Sequence, residues 1–253
     1  MSMISRLLVI AGMELCAITA AFAEPLIVQG STTFSRLLLE PNEVEIEAMT
    51  GLQITVIPNK SAPGLMALME GRATVIMLSA PLDSEVAHLK KAFPGLPYEN
   101  LRAFEVARTR ISVAVHKSNP LRSVTLEQVT QILQGKIGNW QNIGGRNLPI
   151  RVILVGGGGG VTVAVQALLL GGQEAAAPNK IYTQSPVQLV RIVDQEPGAI
   201  GFAQLALVRE RRMTELQTDR PLEQVLSYVT FGEPSATVRA LIEATQKVAG
   251  RTM

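Results

Sequence analysis

Cysteine is nearly absent from this chain: one residue in 253, Cys16. That excludes a disulfide framework, and because Cys16 falls in a segment read below as cleaved, the remaining chain has no thiol chemistry either. Histidine is almost as scarce. His88 and His116 stand alone, and their spacing matches neither a metal set nor a Ser/His/Asp triad. Charged residues make up 17% of the chain and nearly cancel, at a net +2, without long runs of one sign. Binders of the phosphate backbone concentrate Lys and Arg on one face, so nucleic acid is not an expected partner. The five-glycine run from Gly156 to Gly160 lacks the Gly-Lys-Ser/Thr ending of a nucleotide P-loop. Together these scarcities argue against an enzyme, and neither a metal nor a cofactor is expected.

What is present is a globular composition, 47% hydrophobic. Residues 1–23 have the order of a secretory signal peptide. Arg6 supplies the positive start, an apolar core runs from Leu7 to Ala20 with Glu14 inside it, and Ala21-Phe22-Ala23 gives a small-x-small cleavage pattern. Cleavage near Ala23 implies export to the periplasm. A lipoprotein signal would need small residues before the cysteine, where Glu14 and Leu15 stand. No later apolar run reaches the length of a membrane span.

The stretch that organises the rest is Gln29-Gly30-Ser31-Thr32-Thr33-Phe34, between an apolar run, Leu26-Ile27-Val28, and a segment with helical spacing. Strand, polar turn and helix start place free N–H groups and three hydroxyls at one point, which favours an anion. The same hydroxyls would also serve as an ordinary helix cap. Further along, strand-like runs at Ile54–Ile57, Thr74–Leu78, Arg110–His116 and Ile150–Val155 alternate with helical patterns at Arg36–Met49, Leu65–Glu70, Asp83–Ala92, Leu126–Leu133, Thr162–Leu170 and Val187–Gln195. Pro58 to Gly64 reads as a turn, and Ser235–Val248 as a last amphipathic helix. This alternation predicts an α/β fold with a parallel sheet.

Several phrases, in order, resemble the type II periplasmic solute-binding proteins and within them the phosphate-binding (PstS-like) branch. They are Gly30-Ser31-Thr32-Thr33-Phe34, Leu68-Met69-Glu70-Gly71, Leu78-Ser79-Ala80-Pro81-Leu82, Ser112 through Leu121, Gly135 through Trp140, and Pro197 through Phe202. The resemblance implies two α/β lobes of mixed or parallel sheets with flanking helices, holding a solute between them. It divides the chain into a first lobe of 24–109 and 203–253 and a second of 110–202.

The resemblance also implies the ligand contacts: Ser31, Thr32, Thr33 and Phe34 from the first loop, Ser61 after the next strand, Ser79 before Ala80-Pro81-Leu82, and Gly158, Gly159, Gly160 and Thr162 from the glycine loop. One departure stands out. The branch carries an arginine before a Gly-Ser-Gly-Thr turn, and those positions here are Val155, Gly159 and Val161. The implied function is a monomeric exported binder of phosphate or a related oxyanion, with an ABC transporter as membrane partner. The alternative is an exported sensor or interaction protein that keeps the fold with weak or altered binding.

Overall fold

The computed structural model describes residues 24–157 and 160–252. The segment read as a signal peptide lies outside these residues, as do Gly158 and Gly159. Strand β1 (Leu26–Ser31) runs through a short turn α1 (Thr32–Phe34) and a π-helical stretch, Ser35–Leu39, into α2 (Glu40–Thr50). Pro41 is the second residue of α2 and follows the π-helical stretch directly, so the helix runs on through a residue that gives it no N–H. Then come β2 (Ile54–Asn59), α3 (Ser61–Met69), β3 (Val75–Leu78) and α4 (Leu82–Ala92). The turn expected over 58–64 is instead the end of β2 and the first turn of α3. Pro63 is tolerated there because first-turn N–H groups have no intrahelical acceptor.

Strand β4 (Leu101–Val115) is 15 residues long and belongs to both lobes. Its first part pairs antiparallel with β10 (Glu223–Phe231), from Leu101↔Phe231 to Arg110↔Glu223. The other edge of β10 pairs with β3, beyond which lie β1 and β2 in parallel. The second part, Ile111–Val115, pairs with β8 (Ala199–Gln204). That strand continues in parallel to β6 (Arg151–Val155) and β7 (Ile181–Thr183). Burial along β4 changes at the same place: interrupted up to Arg110, continuous from Ile111. A strand covered on both faces reads as an apolar run, and one covered on a single face alternates.

Between the lobes' strands lie β5 (Ser123–Val124), α5 (Leu126–Leu133), α6 (Gly160–Leu170), α7 (Pro186–Gln195), α8 (Leu205–Glu210) and β9 (Thr214–Thr218), with α9 (Ala236–Thr252) closing the chain. Thr125 caps α5 in a reciprocal box with Gln128, and Ser185 caps α7 through Gln188 N–H. Strand β9 pairs with β4 at Val113–Val115 and with β5, so residues 214–218 run with the second lobe.

Four hydrophobic clusters cover the two faces of each half-sheet. On the first lobe, Phe34, Leu38, Leu226 and Tyr228 fill one side and Leu65, Ile76, Leu78 and Leu89 the other. On the second, Val129, Ile132, Trp140 and Phe202 oppose Ile153, Leu189, Val190 and Val193. Trp140 is the single tryptophan of the chain. Only 1% of its surface is exposed, and its Nε1 donates to Gly198 O at 3.0 Å. Its emission is therefore expected to stay blue-shifted and unchanged through a ligand titration followed by steady-state fluorescence; a shift on binding would place it in the moving part of the molecule. Among the described residues, no helix is long and apolar enough to cross a membrane.

Candidate functional site

One glycine brings the first-lobe loops together. Gly30 has a φ of +120°, and a Cβ there would lie 2.2 Å from Met77 O, so only glycine lets β1 run this close to β3. Ser31 is in register with Asn59, and two residues later Ser61 opens α3. The ends of β1 and β2 thus deliver Ser31, Thr32, Thr33, Asn59, Lys60 and Ser61 to one wall of a cleft of about 360 Å3. The opposite wall comes from the second lobe, with Val155, Gly160, Val161, Ser185 and Pro186 and the exposed Gln184.

The lobes touch across this cleft. Lys60 Nζ donates to Gly156 O at 3.1 Å. Gly160 lies against Ser79 so closely that a Cβ there would come within 2.0 Å of Ser79 Oγ. Lys60 takes part in none of the ion pairs among the described residues, all of which are exposed at the surface on at least one side. It is the cation of the described cleft lining. The sequence reading did not single it out. Its signal was available, as a lysine directly after a strand end and directly before a helix start.

Of the expected contacts, Ser31, Thr32, Thr33, Ser61 and Gly160 line the cleft. Ser79 stands behind them: it is fully buried and accepts from Ser31 Oγ at 2.6 Å, while Ser31 Oγ accepts from Phe34 N–H at 3.2 Å. Phe34 is turned away from the cleft. Its ring packs on Tyr228 with centroids 4.7 Å apart, and its N–H is taken by Ser31. Thr162 also faces elsewhere, since its Oγ1 accepts from Val155 N–H at 3.0 Å and so ties α6 to the end of β6. A threonine in the first turn of α6 bonds the nearest unpaired donor, here the strand end. Gly158 and Gly159 lie outside the described residues.

Donors on the first-lobe wall are the hydroxyls and first-turn N–H groups of Thr32 and Thr33, the Ser61 hydroxyl and the Lys60 ammonium; on the second-lobe wall they are the N–H groups at the start of α6 and the side chains of Gln184 and Ser185. One acid lies nearby. Glu85, on α4, is fully buried, and neither of its oxygens has a hydrogen-bond partner; the same holds for Ser61 Oγ. Burial pushes the Glu85 carboxyl up to about 7, and the Ser61 hydroxyl beside it pulls the other way to a lesser degree.

Residues 17–249 match the family model of the PBP superfamily domain. The phosphate-binding protein PstS of Bacillus subtilis is 25% identical over 194 residues, which span 77% of this chain and 61% of that protein's length. An ABC-type phosphate transport receptor from Vibrio cholerae superposes with a TM-score of 0.68 at 20% identity, over 90% of this chain and 96% of that one. A Clostridium perfringens protein crystallised with bound phosphate gives 0.69 at 22%, over 87% and 92%. The OxyR2 regulatory domain of Vibrio vulnificus shares the fold as well, at 0.61 and 16% identity over 94% of this chain and 100% of that one. With two lobes joined by a shared strand, a cleft where the ends of parallel strands meet helix starts, and a family match over most of its length, the chain belongs to the PBP superfamily.

Proposed function

We propose that the protein is an exported solute-binding protein of the phosphate-binding type, which captures phosphate or a related oxyanion between its lobes. The observation that carries this reading is the first-lobe wall: two threonines at a helix start and a lysine that forms no ion pair among the described residues converge on one cleft. A helix start and a cation there attract the same charge. The names of the Bacillus subtilis and Vibrio cholerae relatives support phosphate as the anion. We assign residues 24–109 and 219–252 to the first lobe and 110–218 to the second. In this reading the protein is a periplasmic monomer that hands its ligand to an ABC transporter, and it is no enzyme.

Lys60 takes over part of the work of the arginine that Val155 replaces. A lysine is a point charge and lacks the paired fork of a guanidinium, so affinity is expected to be modest. The test is a thermal-shift panel of phosphate, sulfate and arsenate. An anion at a hundred times its dissociation constant adds about 2.7 kcal/mol of apparent stability. Lys60→Met removes a charge-assisted contact of about 1.5–3 kcal/mol. Affinity by calorimetry is expected to fall about tenfold to a hundredfold. If no anion moves the melting temperature at millimolar levels, the protein is instead a sensor or interaction module, the reading that Val155 favours.

A further inference from the structure

The second-lobe wall of the cleft is mixed: Gln184, Ser185 and the start of α6 at Gly160 are polar, and Val155, Val161 and Pro186 are apolar. A free tetrahedral oxyanion carries oxygens on all sides, and any oxygen buried against the three apolar side chains loses its water without gaining a donor. The cleft is also large for such an ion: at about 360 Å3 it lies in the range of pockets that hold whole organic ligands. It does not end at Pro186. A second cavity of about 510 Å3 continues from it, and Thr32, Thr33, Val161, Ser185 and Pro186 line both. Beyond these shared residues the annex is walled by Leu37, Val187, Leu207 and Gln204, with the exposed Arg36 contributing as well. Gln204 is 9% exposed; its Oε1 accepts from Thr109 Oγ1, and its Nε2 has no partner.

We propose that the ligand is an organic phosphate or phosphonate, its three oxygens on the Thr32–Thr33 and Lys60 wall and its apolar substituent running past Val161 and Pro186 into the annex. This rests on the oxyanion reading above and narrows it to a substrate class. The ligand's two ends match the two cavities: its oxygens meet the donors of the cleft, and its hydrocarbon meets Val161, Pro186 and Leu207 of the annex. Burying that hydrocarbon adds affinity that inorganic phosphate has no means to gain. The free amide N–H of Gln204 leaves room for an acceptor at the end of the substituent.

The experiment compares inorganic phosphate, phenyl phosphate and phenylphosphonate by calorimetry on the full chain. At least one of the two phenyl compounds is expected to bind tenfold or more tightly than inorganic phosphate, and the better of them tells an ester from a direct carbon link. Ala206 lines the annex and is exposed on α8, so Ala206→Trp fills the annex without disturbing a core. In that variant the phenyl advantage is expected to disappear while phosphate affinity stays unchanged. Phosphate binding with no phenyl advantage, or an advantage that survives Ala206→Trp, overturns the annex and leaves the oxyanion reading standing. Binding of none of the three overturns both.

Discussion

Gly160→Ala is expected to weaken anion binding by about tenfold to a hundredfold while leaving the unliganded protein as stable as before, or slightly more so. The first residue of α6 meets Ser79 across the cleft, and a methyl there would lie 2.0 Å from Ser79 Oγ, 3.2 Å from its Cβ and 3.3 Å from its O. Rotating the serine hydroxyl removes only the first of these clashes, and doing so breaks the 2.6 Å bond from Ser31. Overpacking of this kind costs about 1–3 kcal/mol, and it falls on the closed arrangement, where the lobes touch. In an open molecule the alanine has no such neighbour. There it loses less backbone freedom on folding than glycine does, a gain of about 0.4–1 kcal/mol. Opposite signs in calorimetry and in thermal melting are the signature. The Ser79→Ala change in the Gly160→Ala background should recover part of the affinity, a coupling that a double-mutant cycle measures. Equal dissociation constants for Gly160→Ala and the parent would mean that the ligand is held with these two loops apart.

The second large effect concerns Glu85. Its folded-state carboxyl holds a proton up to about 7, against an ordinary value of 4.5, chiefly because it is buried. Between those two values the unfolded chain binds fewer protons than the folded one, so stability falls as pH rises. The contribution is fully present below 4.5 and is lost as pH rises through about 7. At about 1.4 kcal/mol per pH unit, the loss comes to roughly 3 kcal/mol. Glu85→Gln keeps the shape and stays neutral, so it is expected to melt several degrees above the parent at pH 8 and near it at pH 4. Melting curves across that range provide the check. Parallel pH profiles for the two proteins would mean that Glu85 is solvated or paired in solution.

Much of the fold was legible because it was written in patterns that depend on neighbours in sequence. The helical spacing over Leu126–Leu133 and Val187–Gln195 and the apolar run Thr74–Leu78 each state their own local structure. Strand β4 was half hidden. Arg102, Glu105, Arg108 and Arg110 break its first part into polar pieces, since only one face is covered there, and the sequence showed a strand only from Arg110 onward. The pairing of β9 with Val113–Val115 was hidden for another reason: it is decided by contacts about 100 residues apart, which no local pattern records.

Site residues divided along the same line. Ser31, Thr32, Thr33 and Ser61 reach the cleft because strand ends and helix starts point there in any sheet of this kind. Phe34 and Thr162 do not, because a ring one turn into a helix finds the core, and a first-turn hydroxyl finds the nearest unpaired N–H. The annex emerges only when both lobes are in place, whereas Lys60 stood between a strand end and a helix start and could have been singled out on that ground.

The position of β10 has a consequence for the order in which the chain acquires its structure. Residues 223–231 lie between β3 and β4 and give both of them their antiparallel partner. Until those residues have been synthesised, β3 and the first part of β4 each present a row of unpaired N–H and C=O groups, and nothing nearer in sequence fills the gap. The second lobe has no such wait, because every strand it uses precedes residue 219. Closing a loop that long is slow relative to local pairing. The half of the molecule that carries Thr32, Thr33 and Lys60 should therefore be the last to gain protection in pulse-labelled hydrogen exchange, although it comes first in the sequence.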